Sequence, residues 1–96
     1  MKHFLVTCHQ TNPDPEPQKS IGNVLESQFD FWAEEYDAGL YFISADKAAH
    51  EIIEIIRSEL DLGLPDTLYV FEICKDWCHF GTTKVAREIN ARVGIS

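Results

Sequence analysis

The sequence predicts an α+β fold, because short strand patterns alternate with helical ones along the chain. Four short segments are rich in β-branched and aromatic residues, and three others repeat apolar residues at helical spacing. The chain has 96 residues, the length of one domain, so residues 1–96 are expected to form a single unit. Apolar residues make up 45% of it, which is typical of a globular core and too high for disorder.

The first half of the chain predicts a strand, a loop, a helix and a hairpin. Residues 3–9 alternate as a strand with apolar groups on both sides. The segment 10–18 holds prolines at every second position and must be extended. Apolar spacing then predicts a helix over about 17–28, with Pro17 in its first turn. Two strands follow, joined by a turn; they are Phe31–Tyr36 and Leu40–Ser44, with the turn at Asp37-Ala38-Gly39.

The second half predicts a helix, a strand and a closing helix. The second helix shows one apolar stripe and an opposite polar face with His50, Glu54, Arg57 and Asp61. Leu68–Cys74 is the strongest strand, and a short amphipathic helix opens near Thr82 or Thr83. The stripe of the second helix consists of Ala49, Ile52, Ile53, Ile56 and Leu60.

The resulting order is βαββαβα, and its first six elements are those of a ferredoxin-like βαββαβ sandwich with an extra C-terminal helix. In that topology the strand order is 4-1-3-2, with two helices on one face. Strands one and four are apolar on both faces, so the second face also needs a cover. The last helix can shield part of it, and a second copy of the chain is expected to shield the rest. The predicted homodimer interface consists of Tyr69, Phe71, Ile73, Trp77, Phe80, Val85 and Ile89.

Charge and cysteine content narrow the classes of function. The net charge of the chain is −8: residues 80–96 contribute +2 and residues 1–79 contribute −10. A nucleic-acid partner is therefore not expected, because phosphate binding needs a basic surface. No apolar run approaches the roughly 20 residues of a membrane span, and the N-terminus lacks a signal-peptide pattern. With three cysteines, an odd number, we expect a soluble, cytoplasmic protein with reduced thiols.

Several strings resemble the Cas2-like family of small CRISPR-associated proteins and its stand-alone relatives. They are Phe4-Leu5-Val6-Thr7, Leu40-Tyr41-Phe42-Ile43-Ser44 and Asp66-Thr67-Leu68-Tyr69-Val70-Phe71-Glu72-Ile73, together with Trp77 and Gly81. The resemblance, over about residues 3–81, implies a homodimer whose two sheets pack together. Nuclease members carry a metal-binding Asp at the end of strand one, where this chain has His9. A hard Mg²⁺ ion prefers an oxygen ligand, so the resemblance implies a catalytically degenerate relative.

Other candidate chemistry has a simpler structural interpretation. Cys74, Cys78 and His79 would meet His3 across strands four and one, and these are zinc ligand types in an incomplete pattern. The simpler interpretation is a buried free cysteine beside loop residues. Adjacent residues of a strand point to opposite faces, which separates Cys8 from His9 and makes Cys8 a core thiol.

The same alternation separates Glu34 from Glu35, so the pair is expected to be solvated edge charge. We therefore expect no catalytic residue, no metal and no cofactor. The leading hypothesis is a non-catalytic homodimeric interaction domain. A divergent metal-dependent ribonuclease or deoxyribonuclease is one alternative. A small acidic inhibitor of a nucleic-acid-binding protein, of the phage anti-defence type, is another.

Overall fold

The chain folds as an α+β protein with a four-stranded antiparallel sheet and three helices in the part described by its computed structural model. The described residues are 1–9, 20–35, 39–60, 66–74 and 84–93. None of the helices in these ranges is long and apolar enough to cross a membrane. In chain order the elements are β1 (Lys2–His9), α1 (Ile21–Gln28), β2 (Asp30–Glu35), β3 (Leu40–Ala45), α2 (Ala49–Leu60), β4 (Thr67–Glu72) and α3 (Lys84–Val93).

The strands lie in the order β2-β3-β1-β4, which is the expected order 4-1-3-2 starting from the opposite edge. All three pairings are antiparallel. In the two central strands Phe4 lies opposite Ile43, and on its other side Phe4 lies opposite Glu72 of β4. β2 and β4 therefore form the two edges of the sheet within the described residues.

Helix α1 begins later than the sequence predicted. Ser20 is its N-cap, with an extended backbone (ψ 155°), and its hydroxyl accepts a hydrogen bond from the Asn23 amide at 3.2 Å. A serine in this position satisfies one of the amides that the first turn leaves without a helical partner. The predicted start at residue 17 is therefore wrong, and the predicted proline loop lies outside the described residues.

The core lies between one face of the sheet and helices α1 and α2. Of the stripe predicted for α2, Ile52, Ile56 and Leu60 are buried, while Ile53 is only half-buried. Ile53 is one residue away from Ile52, a rotation of about 100° that takes it to the margin of the buried face. The largest fully buried side chains of the described residues are Phe4, Val6, Leu25, Ile43, Ser44, Ile52 and Ile56.

Helix α3 covers part of the opposite face of the sheet. It packs on β2, and its Ala86 and Ile89 are buried there. Partial cover of the second face by the last helix was the expectation, and the structure confirms it. β2 carries an irregularity between Phe31 and Ala33. Phe31 packs against the core, so alternation sends Trp32 to the α3 side of the sheet, where it contacts Arg92.

Candidate interaction surface

The uncovered part of the second face carries two exposed aromatic side chains. Along β4 the side chains of Leu68 and Val70 pack against the core, so alternation sends Tyr69 and Phe71 to the other side. Tyr69 is 57% exposed and Phe71 is 54% exposed. Their rings are stacked with centroids 6.1 Å apart and planes within 5° of parallel. The rings thus form one continuous apolar surface that is open to solvent.

Two residues of β1 continue this surface toward the centre of the sheet. Leu5 lies directly opposite Phe71, and Thr7 lies directly opposite Tyr69. Both are half-buried. We call Leu5, Thr7, Tyr69 and Phe71 the aromatic patch. Helix α3 packs on β2, at the other side of the sheet, and so leaves the patch exposed.

The half of this face under α3 holds a hydrogen-bonded cluster. Ser44 is only 2% exposed, and its hydroxyl accepts a hydrogen bond from Trp32 Nε1 at 3.0 Å. The same hydroxyl lies 2.6 Å from Nδ1 of His3, within hydrogen-bonding distance. Rings pack around this pair, since Trp32 lies edge-on to His3 and 5.4 Å from Phe42 between centroids. The cluster is therefore packed on several sides.

Arg92 joins helix α3 to this cluster. Its guanidinium carbon lies 5.1 Å from the centroid of the Trp32 ring, a cation–π distance. The same side chain donates to Asp30 Oδ2 at 2.9 Å. These contacts come from β2 and α3 alone, so they hold the helix against one edge strand.

The pairing of His3 with Ser44 does not make a catalytic site. A nucleophilic serine needs a hydroxyl that a substrate can reach and a base that is free to take its proton. Ser44 is buried, and its oxygen is occupied by Trp32. In the described part of the chain no buried side-chain nitrogen or oxygen lacks a hydrogen-bond partner. The cluster is therefore structural.

A shallow groove runs between α3 and β2, with a volume of about 300 Å³. Glu34, Lys84 and Glu88 line it, so it presents charges of both signs. Val85, predicted as an interface residue, contributes to the same groove and is half-buried. The mixed charge favours no one class of ligand, and the groove is set apart from the aromatic patch.

The other predicted interface residues are less exposed than Tyr69 and Phe71 or lie outside the described residues. Ile89 is 8% exposed and packs inside the chain, so it offers almost no surface to a second copy. Ile73 is half-buried, and its amide donates to the His3 carbonyl at 2.8 Å. Trp77 and Phe80 lie outside the described residues. Of the predicted set, Tyr69 and Phe71 alone are both described and strongly exposed.

The cysteine and histidine candidates do not form a reactive group. Cys8 is half-buried and packs against the core, which agrees with its prediction as a core thiol. Burial and, secondarily, the negative charge of Asp66 raise the pKa of Cys8 to about 11, so the thiol stays protonated at neutral pH. His9 is exposed at the end of β1, opposite Thr67.

The predicted zinc ligands fall partly outside the described residues. Cys74 is exposed, so the expectation of a buried cysteine at this position is wrong; it follows Ile73, whose amide donates to the His3 carbonyl at the end of strand one. Cys78 and His79 are not among the described residues. Within the described ranges no three His, Cys, Asp or Glu side chains are grouped closely enough to hold a metal ion.

The cluster around Ser44 depends on the pairing of three strands, which the sequence alone did not supply. Phe31 packs against the core, so Trp32 lies on the other face of β2, diagonal to Ser44, which pairs with Asp30. The aromatic patch, in contrast, follows from simple alternation along β4.

Comparison with known proteins gave no relative. No protein-family model matches the chain, and no match was found among curated proteins or solved structures.

Proposed function

We propose that this chain is a non-catalytic interaction domain with a ferredoxin-like arrangement, which forms a homodimer through the aromatic patch. The observation that carries the proposal is the pair of stacked, solvent-facing rings of Tyr69 and Phe71 on the half of the sheet that α3 leaves open. Aromatic side chains that sit together on an uncovered sheet face are typical of protein–protein contacts.

The energetics of the patch favour a protein partner over solvent. Each aromatic side chain buries about 150–250 Å² when fully covered, and burial of apolar surface contributes about 25 cal/mol per Å². Tyr69 and Phe71 are both more than half exposed, so a partner that contacts them recovers part of that free energy. A nucleic acid could also stack on flat rings, but a net charge of −8 opposes its phosphates.

The ferredoxin-like assignment, and with it the Cas2-like relationship, is part of the proposal. It is supported by the element order βαββαβα and the strand order β2-β3-β1-β4. The absence of catalysis is supported by His9, which occupies the strand end where the resemblance would require a metal-binding aspartate. A Mg²⁺- or Mn²⁺-dependent cleavage of RNA or DNA by the purified chain would contradict this part of the proposal.

Light scattering after size-exclusion chromatography tests the dimer. We expect a mass near twice the 11.0 kDa of the chain at micromolar concentration, and a monomer mass for Phe71→Glu, because a charge in an apolar contact must be desolvated. Ser58→Glu, on the exposed face of α2, is the matched control and should leave the dimer unchanged. A wild-type monomer, or a dimer that survives Phe71→Glu, would show that the patch is not the contact.

The acidic-inhibitor alternative predicts a different binding behaviour. An inhibitor that occupies a basic nucleic-acid-binding surface needs its acidic groups, and its binding weakens as salt rises. Phe71→Glu adds a negative charge and would leave such binding intact or stronger. Salt-sensitive binding to a basic protein that persists in Phe71→Glu would therefore favour that alternative.

A further inference from the structure

Among the described residues, no strand pairs with the side of β4 that faces away from β1. The Ile73 amide donates to the His3 carbonyl, and Ile73 is next in register after the pair of Glu72 with Phe4. In an antiparallel pair, alternate residues exchange hydrogen bonds with the neighbouring strand and the others face away. The amides and carbonyls of Leu68, Val70 and Glu72 therefore point away from β1, toward the edge of the described sheet.

The two edges of the sheet differ in how they are protected. At β2 a bulge breaks the register, Glu34 and Glu35 add charge, and α3 packs on the strand. These are devices that prevent a sheet from pairing with another strand. β4 pairs with β1 in unbroken register, and its sequence Thr-Leu-Tyr-Val-Phe-Glu has a single charge, at its end, and no proline. Of the two, β4 is the edge built to accept a strand.

We propose that the second copy of the chain binds by antiparallel pairing of its β4 with this β4, with Val70 on the two-fold axis. The inference rests on the proposed homodimer and specifies its geometry. The backbone amide and carbonyl of Val70 face the edge of the sheet. A two-fold axis at this residue therefore lets the two Val70 residues form reciprocal backbone hydrogen bonds. The two sheets then become one continuous sheet of both copies.

This register also brings the aromatic patches of the two copies into side-by-side contact. With Val70 opposite its own copy, Tyr69 lies opposite the partner's Phe71, and Phe71 lies opposite the partner's Tyr69. Cross-strand aromatic pairs stabilise a sheet, and the two stacked pairs become one row of rings along the joined face. Glu72 lies opposite the partner's Leu68, so the register places no like charges directly across from each other.

A strand suits both features of this surface. A helix or loop could contact the rings of Tyr69 and Phe71, but it would not offer regular hydrogen-bond partners to the edge-facing backbone groups of Leu68 and Val70. A second copy supplies a strand of matching length and matching spacing, related by a two-fold axis.

Val70→Pro tests the pairing with little disturbance to the aromatic rings. Proline removes the one amide that faces the edge at this position, and edge strands tolerate proline where the N–H points away from the sheet. Val70→Ala is the matched control, because it loses the same side-chain packing but keeps the amide. We expect Val70→Pro to weaken dimerisation at least about tenfold relative to Val70→Ala, measured by sedimentation equilibrium.

Amide hydrogen exchange in the unmodified chain gives a test that does not depend on the folding of a variant. The amides of Leu68, Val70 and Glu72 should become protected as the chain concentration rises through the dimerisation range. If a dimer forms while these amides stay unprotected and Val70→Pro dimerises like Val70→Ala, the edge pairing is wrong and the proposed homodimer stands. If wild type is a monomer throughout, the homodimer itself fails and this geometry with it.

Discussion

At the scale of single residues, Ser44 of β3 connects two strands whose contacting residues lie far from it in the sequence. Its hydroxyl meets Trp32 of β2 and His3 of β1, although 12 and 41 residues separate it from them. Burying a hydroxyl is costly without hydrogen bonds, so the serine stabilises this face only when both neighbours are in place. The ring of Trp32 in turn makes a cation–π contact with Arg92 of α3. The packing of α3 thus depends on one small polar residue beneath it.

Cys8 gives a residue-scale prediction with a pH dependence. Burial raises its pKa to about 11 in the folded chain, above the ordinary value of 9.0, so the protonated thiol is the form that the fold favours. The unfolded chain releases this proton first as pH rises. The contribution of Cys8 to stability is therefore fully present below about pH 9 and is lost as pH increases toward 11.

The measurement is alkylation of the native chain with iodoacetamide at pH 8, followed by peptide mass spectrometry. Because the thiolate is the nucleophile, Cys8 should react at least about tenfold more slowly than the exposed Cys74, which serves as the internal control. In a denatured sample the two should react at similar rates. Equal rates in the native chain would contradict the burial of Cys8.

At the scale of elements, helix α2 carries isoleucines at both fully buried and half-buried positions. Ile56→Ala should lower the free energy of unfolding by about 2–5 kcal/mol, because Ile56 is fully buried and its removal leaves a cavity. Ile53→Ala makes the same chemical change at a half-buried position, and a loss below about 2 kcal/mol is expected there. Urea unfolding of both variants provides the values, and equal losses would contradict the orientation of the helix.

The elements also show how far the sequence could predict this molecule. Alternation placed Leu68 and Val70 on one side of β4 and Tyr69 and Phe71 on the other, as observed. Successive side chains of a strand point to opposite faces, so the pattern allows no other division. The start of α1 was missed, since proline and serine both suit a helix start and the structure has Ser20 in that position.

The burial of single positions was harder to predict than the elements. Ile53 and Ile89 were assigned from periodicity alone, and the sequence does not say which flank of a stripe a neighbouring element covers.

At the scale of the whole molecule, charge and apolar contact oppose each other in the proposed dimer. Each copy carries −8, so two copies repel at long range. Helix α3 is positively charged, in contrast to the rest of the chain, because it carries Lys84, Arg87 and Arg92 and only one acidic residue, Glu88. Arg92 already pairs with Asp30 of its own chain, which leaves the exposed Arg87 and Lys84 as the cations best able to reach a partner.

The salt dependence of dimerisation shows whether apolar contact or electrostatic interaction controls assembly. If the aromatic patch and the β4 edge form the contact, added salt screens the repulsion between two acidic copies and strengthens the dimer. We therefore expect the dimer dissociation constant to fall between about 0.05 M and 0.5 M NaCl, measured by sedimentation equilibrium. Arg87→Glu should change it by no more than about twofold at the higher salt. A constant that rises with salt, together with a large loss in Arg87→Glu, would instead assign the assembly to ion pairs between α3 and the acidic body of the partner.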